Sequence, residues 1–267
     1  MNSMNTRVWP ALKVSGSGCE RINERIAVEQ PVAIRLNDVD VATLLCSPSD
    51  MDALAIGFLV SERYVSGYRE VVSVELVEEA SVVSVRTVSG RAGRPVDKRS
   101  PVVTSGCGGG KISRATLDLG ATWCLGAGLK VLATDITIAM KEFTDMSDTF
   151  RATGGVHSAA LFVDNGFVTF AEDIGRHNAV DKVLGRGQMD EVELSRAVLF
   201  TSGRISAEVT LKSAAHRVRV VVSRAAPTSL ALDIARHTRV TVVGFARSGR
   251  MTVFTHDDRI LCNQEDS

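Results

Sequence analysis

From about residue 134 onward, short apolar runs alternate with helix-length amphipathic stretches, and this alternation limits the fold more than any other feature. Thr134 or Asp135 opens a helix through Met146. Residues 159–163, a turn at Asp164-Asn-Gly166 and residues 167–171 predict a hairpin. Residues 173–184 predict a helix closed by Gly185. A buried strand at 197–200, a helix at 204–215 and a strand at 218–222 follow. Pro227 then sits in the first turn of a helix reaching His237, and strands at 240–243 and 251–254 finish the pattern. Repeated strand–helix units imply right-handed crossovers, and hence an α/β domain with a largely parallel sheet and helices on its faces. No internal repeat is visible.

The first hundred residues read differently. Residues 1–25 look like a poorly ordered lead, with Gly16 and Gly18 breaking any pattern. Residues 31–37 alternate as a half-buried strand, turn at Asn37-Asp38, and pair with 39–45. Ser47-Pro-Ser-Asp opens a helix that Ser47 or Ser49 can cap. Met51, Leu54, Ala55, Phe58 and Leu59 share a stripe on it, and Gly57 permits a close approach. The valine-rich stretch 71–88 predicts two strands. Four segments result: a lead at 1–25, a small α+β subdomain at 26–100, a Gly-rich cysteine loop and linker at 101–129, and the α/β domain at 130–260.

Between 89 and 110 apolar periodicity vanishes, and the loop ends in Thr104-Ser-Gly-Cys-Gly-Gly-Gly-Lys111. Cys107 has glycine on both sides, so no neighbouring side chain shields it. Arg91, Arg94, Lys98, Arg99 and Lys111 bring positive charge, which favours thiolate. Cys107 therefore reads as a presented, reactive thiol. The other cysteines, Cys19, Cys46, Cys124 and Cys262, are scattered and include no C-x-x-C pair, as in a reduced compartment. Cys46 sits in an apolar strand end and reads as packing. Formal charge is balanced, which argues against a general nucleic-acid binder. No apolar run is long enough to span a bilayer, and residues 1–30 lack a secretory layout, so a cytoplasmic location is expected.

Two kinds of polar cluster offer chemistry. The first is Glu172-Asp-Ile-Gly-Arg-His-Asn-Ala-Val-Asp-Lys182, preceded by Thr153-Gly-Gly-Val-His157. Glu172 and Asp173 suit a helix N-terminus, and His177 has Asp173 and Asp181 one turn to either side. This helix is either a solvated, salt-bridged face or a ligand-serving one, with Thr153, His157, Arg176, His177 and Lys182 as candidates. The second kind comprises three segments after strands, where open α/β sheets bind ligands. They contribute Ser202 and Arg204, then Ser223 and Thr228, then Phe245, Ala246, Arg247, Ser248, Gly249 and Arg250. Hydroxyls and helix N-termini there suit an anion, and Phe245, Arg247 and Arg250 suit a base and a phosphate. The Walker loop, the G-x-G-x-x-G fingerprint and the zinc-deaminase signature all fail, so no metal is argued for.

The chain resembles the FdhD family, accessory sulfurtransferases of formate dehydrogenase. The matching stretches are Glu29-x-Pro-Val-x-Ile34, Pro48-x-Asp-Met-Asp-x-Leu-Ala-Ile-Gly-Phe58, Ser105-Gly-Cys-Gly108 and Thr153-Gly-Gly-Val-His157. The Glu172–Lys182 segment, Thr201-Ser-Gly-Arg-Ile-Ser206, Ala226-Pro-Thr228 and Gly244-Phe-Ala-Arg-Ser-Gly-Arg250 complete them. The resemblance implies a cytidine-deaminase-like C-terminal domain without zinc, in a homodimer. It implies that Cys107 accepts persulfide sulfur from a cysteine desulfurase. That sulfur passes to the molybdenum cofactor, a bis(molybdopterin guanine dinucleotide), bound through residues 245–250, where a GDP-like ligand would also fit. Many relatives carry C-x-x-C in the loop, and Gly110 stands at the second position here. A single-cysteine relay survives that departure; a mechanism needing two loop cysteines does not. A second reading is a cofactor chaperone in which Cys107 is dispensable, and a third is a deaminase-like hydrolase.

Overall fold

A computed structural model describes residues 3–77, 81–90, 101–103, 111–113, 123–126 and 128–262. Six strands form its central sheet: β10 (His157–Val163), β11 (Gly166–Asp173), β12 (Val198–Thr201), β13 (Val220–Ser223), β14 (Thr241–Arg247) and β15 (Arg250–Thr255). Their order across the sheet is β11-β10-β12-β13-β14-β15. Only the β12–β13 and β13–β14 pairs are parallel; the other three pairs are antiparallel. The expectation of a largely parallel sheet is corrected accordingly. Helices α5 (Ala207–Ala215) and α6 (Ser229–Thr238) provide the two crossovers at the centre, whereas tight turns at Asp164-Asn165 and Ser248-Gly249 force antiparallel edges.

The central strands are short and valine-rich because both faces are covered. Side chains alternate between two cores with period two. Leu199, Val221 and Val242 point towards α4 (Arg176–Met189), α5 and α6. Phe200, Val222 and Val243 point towards α2 (Ala133–Asp145), meeting Ile136, Met140 and Phe143. Ahead of α2, the short β9 (Val131–Leu132) pairs in parallel with β16 (Ile260–Leu261), and a short helix, α3 (Asp148–Thr153), leads back into β10.

The N-terminal unit is a four-stranded sheet with a core of its own. Its strands are β3 (Gln30–Leu36), β4 (Val39–Cys46), β5 (Val71–Val77) and β6 (Val82–Thr87), in the order β4-β3-β6-β5. The predicted hairpin and the predicted strand pair between 71 and 88 are both present. Helix α1 (Met51–Ser61) packs this sheet against α4 and is buried nearly all round, a wider apolar surface than the expected stripe. Two glycines make the contact possible. A Cβ on Gly57 would lie 1.9 Å from the Asp181 carbonyl oxygen, and one on Gly185 would lie 1.9 Å from that of Ala53. Gly185 therefore does not close α4, as expected from sequence, but lies inside it at a backbone-to-backbone crossing.

Three further differences concern ends. The sequence predicts a poorly ordered lead at 1–25, yet β1 (Thr6–Ser15) and β2 (Gly18–Ala27) pair along their whole length as an antiparallel hairpin. Neither Ser47 nor Ser49 caps α1: Asp50 takes that position at φ 52°, with no side-chain cap. Ser47 is drawn instead to the start of α4, and Ser49 Oγ accepts from Asn5 Nδ2 at 3.1 Å. Finally, β7 (Pro101–Val103), inside the loop expected at 89–110, pairs antiparallel with β8 (Lys111–Ser113) just beyond it, with Val103 opposite Lys111.

Candidate functional site

The sheet register gathers most of the predicted residues on one edge. The parallel strands β12 and β13 end side by side at Thr201 and Ser223. β10 runs the other way, so it begins on that edge, with His157 opposite the last residue of β11, Asp173. The loops beyond these strands are stitched together by backbone hydrogen bonds. Ile205 N donates to Ala226 O at 3.2 Å, Thr228 N to Ile205 O at 3.0 Å, and Phe245 N to Ala225 O at 3.2 Å. The three strand-end segments singled out in the sequence are thus neighbours at the carboxyl edge of the parallel strands, where such sheets bind ligands.

A cleft of about 310 Å³ opens there between α2 and the β14–β15 turn. Its floor is Ile136, Met140, Ala246 and Met251. Its walls carry four cations, Lys141, Arg224, Arg247 and Arg250, against one carboxylate, Asp145. Thr137, Thr144 and Ser248 add hydroxyls. Such a surface attracts an anion, and guanidinium groups suit phosphate oxygens in particular. The turn reaches this shape through left-handed backbone at Phe245 (φ 53°), Ser248 (φ 52°) and Gly249 (φ 72°). Of the six residues predicted here, Ala246, Arg247, Ser248, Gly249 and Arg250 line the cleft. Phe245 does not: it is exposed and sits against Phe254, with ring centroids 6.1 Å apart.

The remaining candidates divide between a second polar cluster and architecture. His157 Nδ1 lies 3.3 Å from Ser202 Oγ, which also accepts from Ser158 N at 2.9 Å. His177 Nε2 lies 3.1 Å from Ser206 Oγ, and its Nδ1 is 3.5 Å from Glu208. The expected partners Asp173 and Asp181 are engaged elsewhere, so helical spacing misidentified them. Burial, with Arg176 next, pushes the His157 pKa down, and the same causes push that of His177 down to about 3. Both rings are therefore neutral near pH 7. Arg176 lays its aliphatic stem over Gly203, where a Cβ would meet it at 2.9 Å. Arg204 is exposed on the same edge.

Lys182 is corrected from a ligand-facing candidate to a buried structural residue. Its ammonium pairs with Asp173 at 2.7 Å, both side chains being fully buried, and donates to the Ser47 and Glu172 carbonyls. Asp173 also accepts from Ser47 N, Gly175 N and Asn178 Nδ2. This knot fixes the start of α4 to the end of β4. Glu172 does not stabilise α4 either; it caps α3, accepting from Thr149 N and Phe150 N at 2.9 Å each. Ser223 Oγ donates to Gly203 O at 2.6 Å, Thr228 caps α6, and Thr153 Oγ1 binds Thr149 O. All three hold loops in shape.

Sequence reasoning overlooked Lys141, Thr137 and Thr144, although their spacing on an amphipathic helix marks one flank. It also overlooked the buried pair Asp181–Lys212 at 2.7 Å, where Asp181 additionally accepts from Ser61 Oγ. Burial lowers the Lys212 pKa, but the carboxylates of Asp181, Glu208 and Glu62 outweigh it and hold the ammonium charged.

Cys107 lies outside the described residues. Cys46, read as packing, is buried, and desolvation pushes its thiol up to about 12. Cys19, Cys124 and Cys262 are exposed. Among the described residues no helix is long and apolar enough to cross a membrane, and no group of three or more His, Cys, Asp or Glu side chains is placed to hold a metal ion.

The family model for FdhD/NarQ matches residues 27–261. The sulfur carrier protein FdhD of Wolinella succinogenes is 35% identical over 241 residues, covering 87% of this chain and 81% of its own. That of Bacillus subtilis is 33% identical over 260 residues, covering 97% and 99%. A crystal structure assigned as a formate dehydrogenase accessory protein, from Desulfotalea psychrophila, superposes with a TM-score of 0.81 at 25% identity, covering 96% of this chain and 99% of that one. With nearly its whole length matched, this chain belongs to the FdhD/NarQ family.

Proposed function

We propose that this protein is a sulfur carrier that activates formate dehydrogenase, with Cys107 as the carrying thiol. The Cys107 thiolate attacks the terminal sulfur of a cysteine desulfurase persulfide. A new S–S bond forms on Cys107 as the donor's S–S bond breaks, and the desulfurase cysteine leaves as thiolate. Covalent relay of this kind splits one difficult transfer into two easier ones. The acceptor substrate is the molybdenum cofactor, bis(molybdopterin guanine dinucleotide). Delivery of the sulfur as sulfide takes two electrons. With Gly110 in place of a second loop cysteine, an external thiol reductant supplies them and Cys107 returns as thiol.

The observation that carries this reading is the cleft with Lys141, Arg224, Arg247 and Arg250 facing a single carboxylate. At about 310 Å³ it suits one guanine nucleotide arm of the acceptor, or GDP, rather than the whole cofactor. The relatives' designation as sulfur carriers supports the same assignment. A cytidine-deaminase-like fold for the C-terminal unit, a homodimer and a cytoplasmic setting belong to this proposal.

The test is to load the protein with a desulfurase and cysteine, then locate the added sulfur by peptide mass spectrometry. Sulfur on Cys107, and loss of formate dehydrogenase activation in Cys107→Ala with GDP binding intact, support the relay. Undiminished activation by Cys107→Ala supports a cofactor chaperone instead.

A further inference from the structure

The entry to α5 differs from an ordinary capped helix. Ser206 is its N-cap residue, and the Ser206 carbonyl accepts from Thr210 N at 3.1 Å. A serine at this position usually turns its Oγ onto an amide of the first turn. Ser206 makes no such bond. Its Oγ lies instead 3.1 Å from Nε2 of His177, the second residue of α4. On the far side of the ring, Nδ1 is 3.5 Å from Glu208 Oε2, two residues along from Ser206. A hydroxyl, an imidazole and a carboxylate thus stand in line.

These contacts set the proton positions. A carboxylate oxygen only accepts, so the Nδ1 that faces Glu208 carries the hydrogen. Nε2 then keeps its lone pair, and the Ser206 hydroxyl donates to it. Burial and the neighbouring Arg176 keep the ring neutral near pH 7, the form in which an imidazole can take a proton. At 3.5 Å Glu208 orients the ring without a formed hydrogen bond, and such contacts tighten once substrate is bound. His177 and Glu208 are 11% and 13% exposed, whereas Ser206 is half-buried and faces the carboxyl edge of the sheet.

The surroundings suit developing negative charge. The N-termini of α4 and α5 meet at the His177–Ser206 contact, and both carry the positive end of a helix dipole. The Arg176 guanidinium is close enough to depress the pKa of both His157 and His177. The backbone just before Ser206 is held on both sides, Ile205 N donating to Ala226 O and Thr228 N to Ile205 O. None of Ser206, His177 and Glu208 lines the cationic cleft.

We propose that Ser206, His177 and Glu208 are the nucleophile, base and orienting acid of a second site, which hydrolyses small carboxylic esters. It goes beyond the carrier reading and stands without it. Ser206 Oγ attacks the acyl carbon as its proton passes to His177 Nε2. The C–O bond to the alcohol breaks, and the alcohol oxygen takes that proton, leaving the acyl group on Ser206. Water then attacks the acyl carbon, gives a proton to Nε2, and Ser206 leaves with it. The net change is ester and water to acid and alcohol. Half-burial of the serine restricts the acyl group to a small one.

The first measurement is labelling of the wild-type protein with a fluorophosphonate, which forms a stable phosphorus–oxygen bond with an activated serine. Peptide mass spectrometry locates the adduct. Hydrolysis of p-nitrophenyl acetate is then followed in Cys107→Ala protein, where the loop thiol cannot compete as nucleophile. Ser206→Ala, His177→Ala and Glu208→Gln are compared in that background, with melting curves to check the fold. Because the Ser206 hydroxyl makes no cap bond, Ser206→Ala removes the nucleophile without uncapping α5. The proposal predicts an adduct on Ser206, hydrolysis slower by about 100-fold or more in Ser206→Ala and His177→Ala, and by about tenfold or more in Glu208→Gln. Where His177→Ala proves unfolded, Glu208→Gln decides. No adduct on Ser206 overturns the proposal, as does hydrolysis by Ser206→Ala at its parent's rate. Labelling and hydrolysis undiminished in Glu208→Gln and His177→Ala also overturn it, since the hydroxyl is then not activated by its neighbours.

Discussion

Lys182 offers the sharpest test of how the site edge is built. Its ammonium is fully buried and makes three bonds, to Asp173, Ser47 O and Glu172 O. Replacing it in Lys182→Met keeps the aliphatic volume but leaves the Asp173 carboxylate buried without its counter-charge. Breaking such a pair costs about 3–5 kcal/mol. The lower end applies here, because Asp173 keeps three N–H donors from Ser47, Gly175 and Asn178. Asp173→Ala is the harsher change. It strands the ammonium and orphans those three donors, each costing on the order of 1 kcal/mol or more, so about 5 kcal/mol or above is expected. For a chain of this size, about 3 kcal/mol corresponds to a fall in Tm of roughly 6–12 °C. Urea unfolding and melting give both numbers, and calorimetry with GDP at a temperature where Lys182→Met is folded gives affinity. The structure predicts the order Asp173→Ala worse than Lys182→Met, with GDP affinity within about twofold of wild type in the latter. A Lys182→Met protein of undiminished stability that no longer binds GDP refutes the assignment and returns Lys182 to the ligand site.

Arg247→Ala and Arg250→Ala should each weaken GDP binding by roughly tenfold or more, since charge-assisted hydrogen bonds are worth about 1.5–3 kcal/mol; calorimetry reads this, and Phe245→Ala should change affinity least. Gly57→Ala and Gly185→Ala should each destabilise by about 1–3 kcal/mol or more, because the new methyl meets backbone that cannot move aside, as melting would register. His177 and His216 are both pushed down to about 3 by burial. Their unfolded forms bind protons below about 6.5, so their stabilising contribution is full above that pH and lost as pH falls towards 3; at pH 5 the loss is about 2 kcal/mol for each. Urea midpoints measured from pH 7.5 to 4.5 should fall accordingly, and His216→Gln should flatten the curve. Iodoacetamide at pH 7.5 should label Cys107 and leave Cys46 untouched in the folded protein, which peptide mapping can check.

Much of the chain could be read locally because its signals are local. The order of strands and helices after residue 134, the hairpin at Asp164-Asn-Gly166 and the polar segments after β12, β13 and β14 follow from periodicity and turn residues a few positions apart. The same local logic misjudges residues 1–25. Gly16 and Gly18 read as breaks, yet they frame the turn of a regular hairpin whose exposed faces leave little apolar alternation to detect. It also misjudges Gly185, since a glycine that ends a helix and one that admits a second helix look alike in sequence.

What the sequence determined by itself is the set of chemical parts: a cysteine between glycines at 106–110, basic residues at 247 and 250, and strand-end loops that can face an anion. Which of these meet was decided by tertiary structure. Lys141 joins Arg224, Arg247 and Arg250 only because α2 crosses the sheet beside the β14–β15 turn. Lys182 leaves the site only because Ser47, 135 residues away, and Asp173 close around its ammonium. A lysine on a polar helix reads as solvated unless its partners are known. Burial is a property of the packed neighbours rather than of the residue, and those neighbours come from distant parts of the chain.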